Sequence, residues 1–172
     1  MLALDLSAVS QGCASRIDGL LGADFFHGRI VQIDFAAQKI RVLTRGEVST
    51  AGAQIVPLAT RNDALCIRVG VNGNAPQWMR FDTGCSSALE WVVTEAKLRR
   101  ATGTSVAAAA GSRAHIQTDA LLGSERLFSV KTGVHQQPIF SGEAGLLGNG
   151  PLSQFRVTVD AGKSRLLLDR IP

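Results

Sequence analysis

The fold is decided by residues 64–92, which read ALCIRVGVNGNAPQWMRFDTGCSSALEWV. Apolar and polar residues alternate from Ala64 to Val71, a pattern typical of a strand with one buried face. Asn72-Gly73 follows and offers the two positive φ angles that a tight hairpin turn requires. We therefore predict a β-hairpin whose second strand, Gln77–Phe81, ends at Asp82.

The tripeptide Asp82-Thr83-Gly84 closes this hairpin, and residues 86–92 then leave the loop as another short extended segment. A carboxylate at such a turn can hold and activate a water molecule, and a threonine hydroxyl can hydrogen-bond to an opposing loop. Glycine has no side chain to keep two such loops apart. Two carboxylates that meet closely cannot both ionise, so that one becomes the acid and the other the base. Taken alone, the tripeptide could equally be a turn with no catalytic role.

A second motif, Gly145-Leu146-Leu147-Gly148, repeats a string found 126 residues earlier (145 − 19 = 126) at Gly19-Leu20-Leu21-Gly22. A repeated string is informative about architecture. The continuation matches as well: Val31 falls on Val157, Ile33 on Val159 and Asp34 on Asp160, and the apolar runs 39–43 and 165–168 follow. We interpret each copy as the closing half of one lobe, made of an apolar strand, a glycine turn, a short helical stretch and two strands.

Together, residues 64–92 and 145–168 resemble the bacterial branch of the retropepsin-like aspartic proteases. The resemblance implies an all-β fold, a small closed barrel with a few short helices. It implies that Asp82 is catalytic, and that no cofactor or metal takes part. The implied site residues are the active-site loop (Thr83, Gly84, Cys85, Ser86) and the loop support (Leu146, Leu147, Gly148).

The repeat also predicts how the chain is divided. The counterpart of Asp82 would fall before Met1, so we expect residues 1–48 to be the C-terminal half of a first lobe and residues 54–172 to be a complete lobe. The run 2–6 resembles the strand that precedes the glycine turn in this family. We therefore expect the natural protein to begin upstream of Met1. The location is left open: it is cytoplasmic for the sequence as it stands, and periplasmic or exported if the true start is upstream.

Catalysis needs two aspartates, and this chain carries one Asp-Thr-Gly. The expected partners are a homodimer mate or a missing first lobe, together with a peptide or protein substrate. Viral relatives place an arginine after the second glycine to brace their dimer, whereas this chain has Asn149. The resemblance also predicts a flap hairpin over residues 104–118, although 107–110 would suit a short helix by propensity.

Composition excludes other classes. The basic excess is small, 18 Lys and Arg against 14 Asp and Glu, and it is scattered except for residues 97–100, which we predict to be a solvated helix end. A nucleic-acid-binding protein would need a concentrated patch of basic residues. No apolar run is long enough to span a bilayer, and the three histidines lack metal-ligand spacing. Two hypotheses remain: an aspartic endopeptidase, or a non-catalytic dimerisation or peptide-binding module of the same fold.

Overall fold

The computed structural model describes residues 5–7, 10, 16–85, 88–102 and 114–171. Over these ranges the chain is built mainly of strands. The strands are β1 Ile30–Asp34, β2 Lys39–Leu43, β3 Gln54–Arg61, β4 Ala64–Val71, β5 Gln77–Phe81, β6 Leu89–Val92, β7 Ala114–Leu122, β8 Glu125–His135, β9 Gly145–Leu147, β10 Phe155–Asp160 and β11 Arg165–Arg170. The α-helices are α1 Glu95–Thr102 and α2 Asn149–Leu152, and 3₁₀ turns lie at Ala23–Phe26, Arg45–Glu47 and Ala161–Lys163.

Six strands close into a barrel in the order β4, β5, β9, β6, β8 and β7, and β7 pairs back onto β4. The predicted hairpin is confirmed: β4 and β5 pair antiparallel, and Asn72 and Gly73 have φ angles of 46° and 73°. Every second residue of β4 and β5 points inward, so that Ile67, Val69 and Met79 are buried in the barrel. The predicted all-β fold, a closed barrel with few short helices, is therefore confirmed.

Strand β9 lies between β5 and β6, parallel to the first and antiparallel to the second. Its first residue, Gly145, has a φ angle of 146° and lies against the carbonyl oxygen of Glu90. A Cβ at this position would overlap that oxygen, so only glycine fits. The glycine therefore lets β9 enter the space between two strands that are adjacent in sequence.

A second part of the sheet joins the two copies of the repeat. Its order is β2, β1, β10, β11 and β3, and β3 continues into the barrel by pairing with β4. An ion pair between Arg156 of β10 and Asp34 of β1, 3.0 Å long, links the copies. Val31 and Ile33 belong to the same hydrophobic core as Val157 and Val159. The N-terminal segment and the lobe thus share one sheet and one core.

The two copies are not equal in structure. Residues 145–147 form β9, whereas their counterparts Gly19–Leu21 form no strand. The physical reason is that β9 is held by β5 and β6, and the described residues provide no such pair of strands for the first copy. The predicted strand at 2–6 is also not seen at Asp5 and Leu6, and residues 2–4 lie outside the described ranges.

The remaining predictions concern the surface. Residues 97–100 lie in α1, where Arg99 forms an exposed ion pair with Glu95, as expected of a solvated helix. Of the predicted flap, residues 104–113 lie outside the described ranges, and 114–118 begin β7, which pairs with β8. In the described part of the chain, the helices are all too short or too polar to cross a membrane.

Candidate active site

Asp82 is the first residue after β5, at the point where the barrel strand turns into a loop. Its backbone N–H donates a hydrogen bond to the carbonyl oxygen of Leu147, 3.0 Å away, which extends the β5–β9 pairing by one step. The N–H of Gly84 donates to Asp82 Oδ1 at 2.9 Å, and the N–H of Cys85 donates to the carbonyl oxygen of Asp82 at 3.2 Å. The carboxylate is thus fixed by its own loop and remains half-buried at the surface.

Residues 146–148 lie directly behind this loop. Leu147 is fully buried between β5 and β6, and the N–H of Gly148 donates to the carbonyl oxygen of Ala88 at 3.1 Å. The structure therefore brings both motifs together, although 61 residues lie between Gly84 and Leu146 (146 − 84 − 1 = 61). Of the predicted loop residues, Thr83, Gly84 and Cys85 lie beside Asp82, whereas Ser86 falls outside the described residues.

Asn149 is the residue that sequence reasoning did not assign to the site. Its side-chain Nδ2 donates to the carbonyl oxygen of Thr83 at 2.8 Å, and its backbone N–H donates to the carbonyl oxygen of Cys85 at 3.0 Å. Its Oδ1 atom is buried and has no hydrogen-bond partner among the described residues. Its position directly after the second glycine was the available signal, because an arginine was expected there from the resemblance noted in the sequence.

A buried ion pair lies two residues before Asp82. Arg80 of β5 binds Glu143 through two hydrogen bonds of 2.9 and 2.8 Å, and the Glu143 side chain is completely buried. The guanidinium also lies over the ring of Phe140, 3.5 Å from its centre. Hydrogen bonding to Glu143 raises the pKa of Arg80, so the guanidinium stays charged. The pair ties β5 to the segment that leads into β9.

Burial also affects Cys66, which pairs with Arg80 across β4 and β5. The thiol is inaccessible to solvent, and this burial, together with the negative charge of Glu143, raises its pKa to about 11. A thiol of that kind is a packing group.

A second buried carboxylate, Glu90 of β6, hydrogen-bonds to His135 at the end of β8. Gly133 leaves the space that the Glu90 side chain occupies, because a Cβ at that position would overlap the carboxylate. The pair links two parallel strands of the barrel wall. Spacing could not have revealed it, since the two residues are 45 positions apart.

The half-buried carboxylate of Asp82 remains accessible to solvent, but this chain provides one Asp-Thr-Gly loop. An acid and a base of matched strength require a second carboxylate close by. Among the described residues, no three potential ligands cluster in a way that could bind a metal ion.

Comparison with known proteins identifies the fold. Among the solved structures that match is a retropepsin-like aspartic protease from Rickettsia conorii. The two chains are 23% identical, the match covers 68% of this chain and 89% of that one, and the TM-score is 0.50. No protein-family model matches this chain, and no curated protein matches its sequence.

Proposed function

We propose that this chain is part of an aspartic endopeptidase, in which Asp82 supplies one of two catalytic carboxylates. The observation that carries the proposal is the fixed carboxylate: Gly84 N–H holds Asp82 Oδ1 while Leu147 anchors the backbone from behind. A loop that is braced in this way presents its charge in one orientation, as catalysis by preorganised groups requires. The likeness in fold to a protein described as an aspartic protease agrees with it.

The chemistry follows from two close carboxylates that share one proton. The ionised one removes a proton from a bound water, and the water oxygen attacks the carbonyl carbon of the peptide bond. The protonated one donates its proton to the carbonyl oxygen, which gives a diol. The C–N bond then breaks, the amine leaves with the proton taken from the water, and a diol hydroxyl returns a proton to the second carboxylate. Asp82 can play either part, because the pair titrates as a unit. Residues 83–85 and 146–149 hold the loop and orient the carboxylate.

The second carboxylate comes from another lobe. In this proposal residues 1–48 are the closing half of a first lobe and residues 54–172 are a complete one. The other aspartate then belongs to a first lobe or to a second copy of the chain. The substrate is a peptide or protein segment bound in extended form between the lobes.

A non-catalytic dimerisation or peptide-binding module is the second candidate. The single Asp-Thr-Gly of this chain favours it, since one aspartate cannot serve as both acid and base. The two candidates differ in what Asp82 does.

The test is Asp82→Asn, a nearly isosteric change that removes the ionisable group. Cleavage of casein or of a fluorogenic peptide should fall by about 10²- to 10⁴-fold while the unfolding transition is unchanged. Asp63→Asn, in the exposed turn between β3 and β4, is the matched control and should retain activity. Cleavage that survives Asp82→Asn removes Asp82 from the mechanism. A wild-type chain that binds peptides and cleaves none at any acid or neutral pH favours the binding module or a chain deprived of its first lobe.

A further inference from the structure

A local two-fold axis passes between Gln32 and Thr158. The two residues are equivalent in the repeat, since they lie 126 positions apart, and they are also direct partners in the antiparallel pairing of β1 with β10. The side-chain amide of Gln32 donates to the hydroxyl of Thr158 at 3.3 Å. On either side, Val31 faces Val159, the counterpart of Ile33, and Ile33 faces Val157, the counterpart of Val31. The repeat is therefore a real symmetry of the sheet.

This symmetry exposes a difference between the copies. Ile40 and Val42 of β2 correspond to Leu166 and Leu168 of β11. The β11 residues are 0% and 1% exposed, but Ile40 and Val42 are 56% and 57% exposed. Both lie on the core-facing side of the sheet, because they pair with the buried residues of β1. The sequence thus supplies an apolar strand face that this fold does not cover.

The same difference appears at the second motif. Leu146 and Leu147 are 9% and 0% exposed because β9 is enclosed by β5 and β6. Their counterparts Leu20 and Leu21 are 59% and 60% exposed. These four apolar positions are therefore buried in the complete lobe and exposed in the N-terminal copy.

What covers β11 is known in this structure. Strand β3 pairs antiparallel with it, so that Val56 lies opposite Leu166 and Gln54 opposite Leu168. In the described residues β2 pairs with β1 alone and ends the sheet. The two-fold axis assigns to this open edge a strand equivalent to β3, with a Val56-like residue opposite Ile40 and a Gln54-like residue opposite Val42.

We infer that the open edge of β2, with the exposed faces of Ile40, Val42, Leu20 and Leu21, is the docking surface for the front half of a second retropepsin-like lobe, a segment built like residues 54–126 of this chain. A symmetric homodimer through β10 is not compatible with this sheet. The edge of β10 away from β11 is already occupied by β1 of the same chain. Strand β3 of a second copy is likewise engaged along its length, by β11 at residues 54–57 and by β4 at residues 58–61.

The inference rests on the proposed function in one respect: the docked half-lobe carries the second catalytic aspartate. The axis that relates β1 to β10 then relates the two Asp-Thr-Gly loops. The docking itself depends on the sheet edge and its apolar face, and it does not require catalysis.

The experiment extends the full chain with a copy of its own residues 54–126, joined ahead of Met1, because Met1 corresponds to Leu127 in the repeat. Amide hydrogen exchange is followed in β2, with and without the extension. Exchange at residues 39–43 should slow by at least about tenfold, and the extended chain should be a monomer. Ile40→Lys/Val42→Lys should abolish this protection, whereas Phe128→Lys, an exposed apolar site on β8, should leave it intact.

Unchanged exchange at β2 in a folded extended chain overturns the inference, and so does protection that survives Ile40→Lys/Val42→Lys. The inference is also overturned if the unextended chain forms a dimer that protects β2 and Ile40→Lys/Val42→Lys abolishes this protection. The occupant of the edge is then a second copy of the chain. If the extension does not fold, a synthetic peptide of residues 52–61 is added to the unextended chain. Slower exchange confined to β2 supports the inference, and none at a saturating concentration overturns it.

Casein cleavage separates this result from the proposed function. Protection of β2 without cleavage supports the docking surface and counts against the peptidase. Cleavage by the extended chain without protection of β2 supports the peptidase and overturns the docking surface.

Discussion

Asn149 fastens the loop that carries Asp82, since its Nδ2 atom donates a hydrogen bond to the carbonyl oxygen of Thr83 at 2.8 Å. The donor lies 66 residues beyond the acceptor in sequence. The backbone N–H of Asn149 also donates a hydrogen bond to the carbonyl oxygen of Cys85. The first residue of α2 therefore holds the loop at two points. The order of the candidate site therefore depends on a residue outside both motifs.

Asn149→Ala should destabilise the chain by about 1–3 kcal/mol, because it leaves the carbonyl oxygen of Thr83 without its donor. Urea unfolding measures this change. Ser153→Ala removes an exposed hydrogen bond at the end of the same helix and should cost less than about 0.5 kcal/mol. Equal effects of the two substitutions would show that the contact with Thr83 contributes no more than a surface bond.

The Arg80–Glu143 pair should show strong coupling. Arg80→Met leaves a completely buried carboxylate without its partner, which costs about 3–5 kcal/mol. The double change Arg80→Met/Glu143→Leu should cost less than Arg80→Met alone, because no unpaired charge remains. Chemical denaturation of both single variants and the double variant gives the coupling. Arg41→Met, which breaks an exposed pair with Glu47, is the control and should cost about 1 kcal/mol or less. Additive effects at the buried pair would contradict the prediction.

Gly145→Ala should prevent β9 from entering the barrel. The added Cβ meets the carbonyl oxygen of Glu90, and the φ angle of 146° is unfavourable for alanine. A cost of at least about 2 kcal/mol follows from the strain alone. Gly46→Ala, at a site with open space around it, should be nearly neutral. Circular dichroism and thermal unfolding compare the two, and a native-like Gly145→Ala protein would refute the close approach.

The thiol of Cys66 should resist alkylation until the chain unfolds. Its pKa of about 11, against an ordinary value of 9.0, lowers the thiolate fraction at pH 8 by about a hundredfold, and burial blocks access as well. Peptide mass spectrometry after iodoacetamide treatment, with and without urea, measures the protection. The native thiol keeps its proton to higher pH than the unfolded one, so its contribution to stability is lost as pH rises from about 9 to about 11. Rapid native labelling would contradict this burial.

Peptidase activity of the assembled enzyme should show a bell-shaped dependence of kcat/KM on pH. The reaction needs one carboxylate ionised and one protonated, so activity falls when both are protonated and again when both are ionised. The two apparent pKa values belong to the pair. A profile with a single ionisation would show that Asp82 works without a second carboxylate.

Much of the local structure could be predicted from sequence, because the signals were local. Alternation marked β4, Asn72-Gly73 marked its turn, and Gln77–Phe81 matched β5 residue for residue. The repeat made residues of β1 equivalent to residues of β10; both are strands, and the sheet places them side by side. The two-residue alternation of a strand and the residue preferences of a turn act over a few positions. For this reason the local predictions hold.

The contacts that organise the candidate site could not be predicted, because they join distant residues. Nothing in the spacing of Arg80 and Glu143, or of Glu90 and His135, indicates that they meet. The position of β9 between β5 and β6 depends on tertiary pairing, and so does the failure of Gly19–Gly22 to form a strand. Whether a segment forms a strand here depends on which other strands lie beside it in the fold. The local sequence of the segment does not contain that information.

The insertion of β9 also fixes when the candidate site comes into being. A ribosome releases the chain from its N-terminus, so Asp82 emerges well before Leu147 and Asn149 exist. Until those residues arrive, the aspartate has neither the strand behind it nor the amide that holds its loop. The closing contact also spans a long loop, which slows its formation. A partly synthesised chain therefore carries the acidic residue without an ordered site, and for a peptidase this delay protects the growing chain from itself.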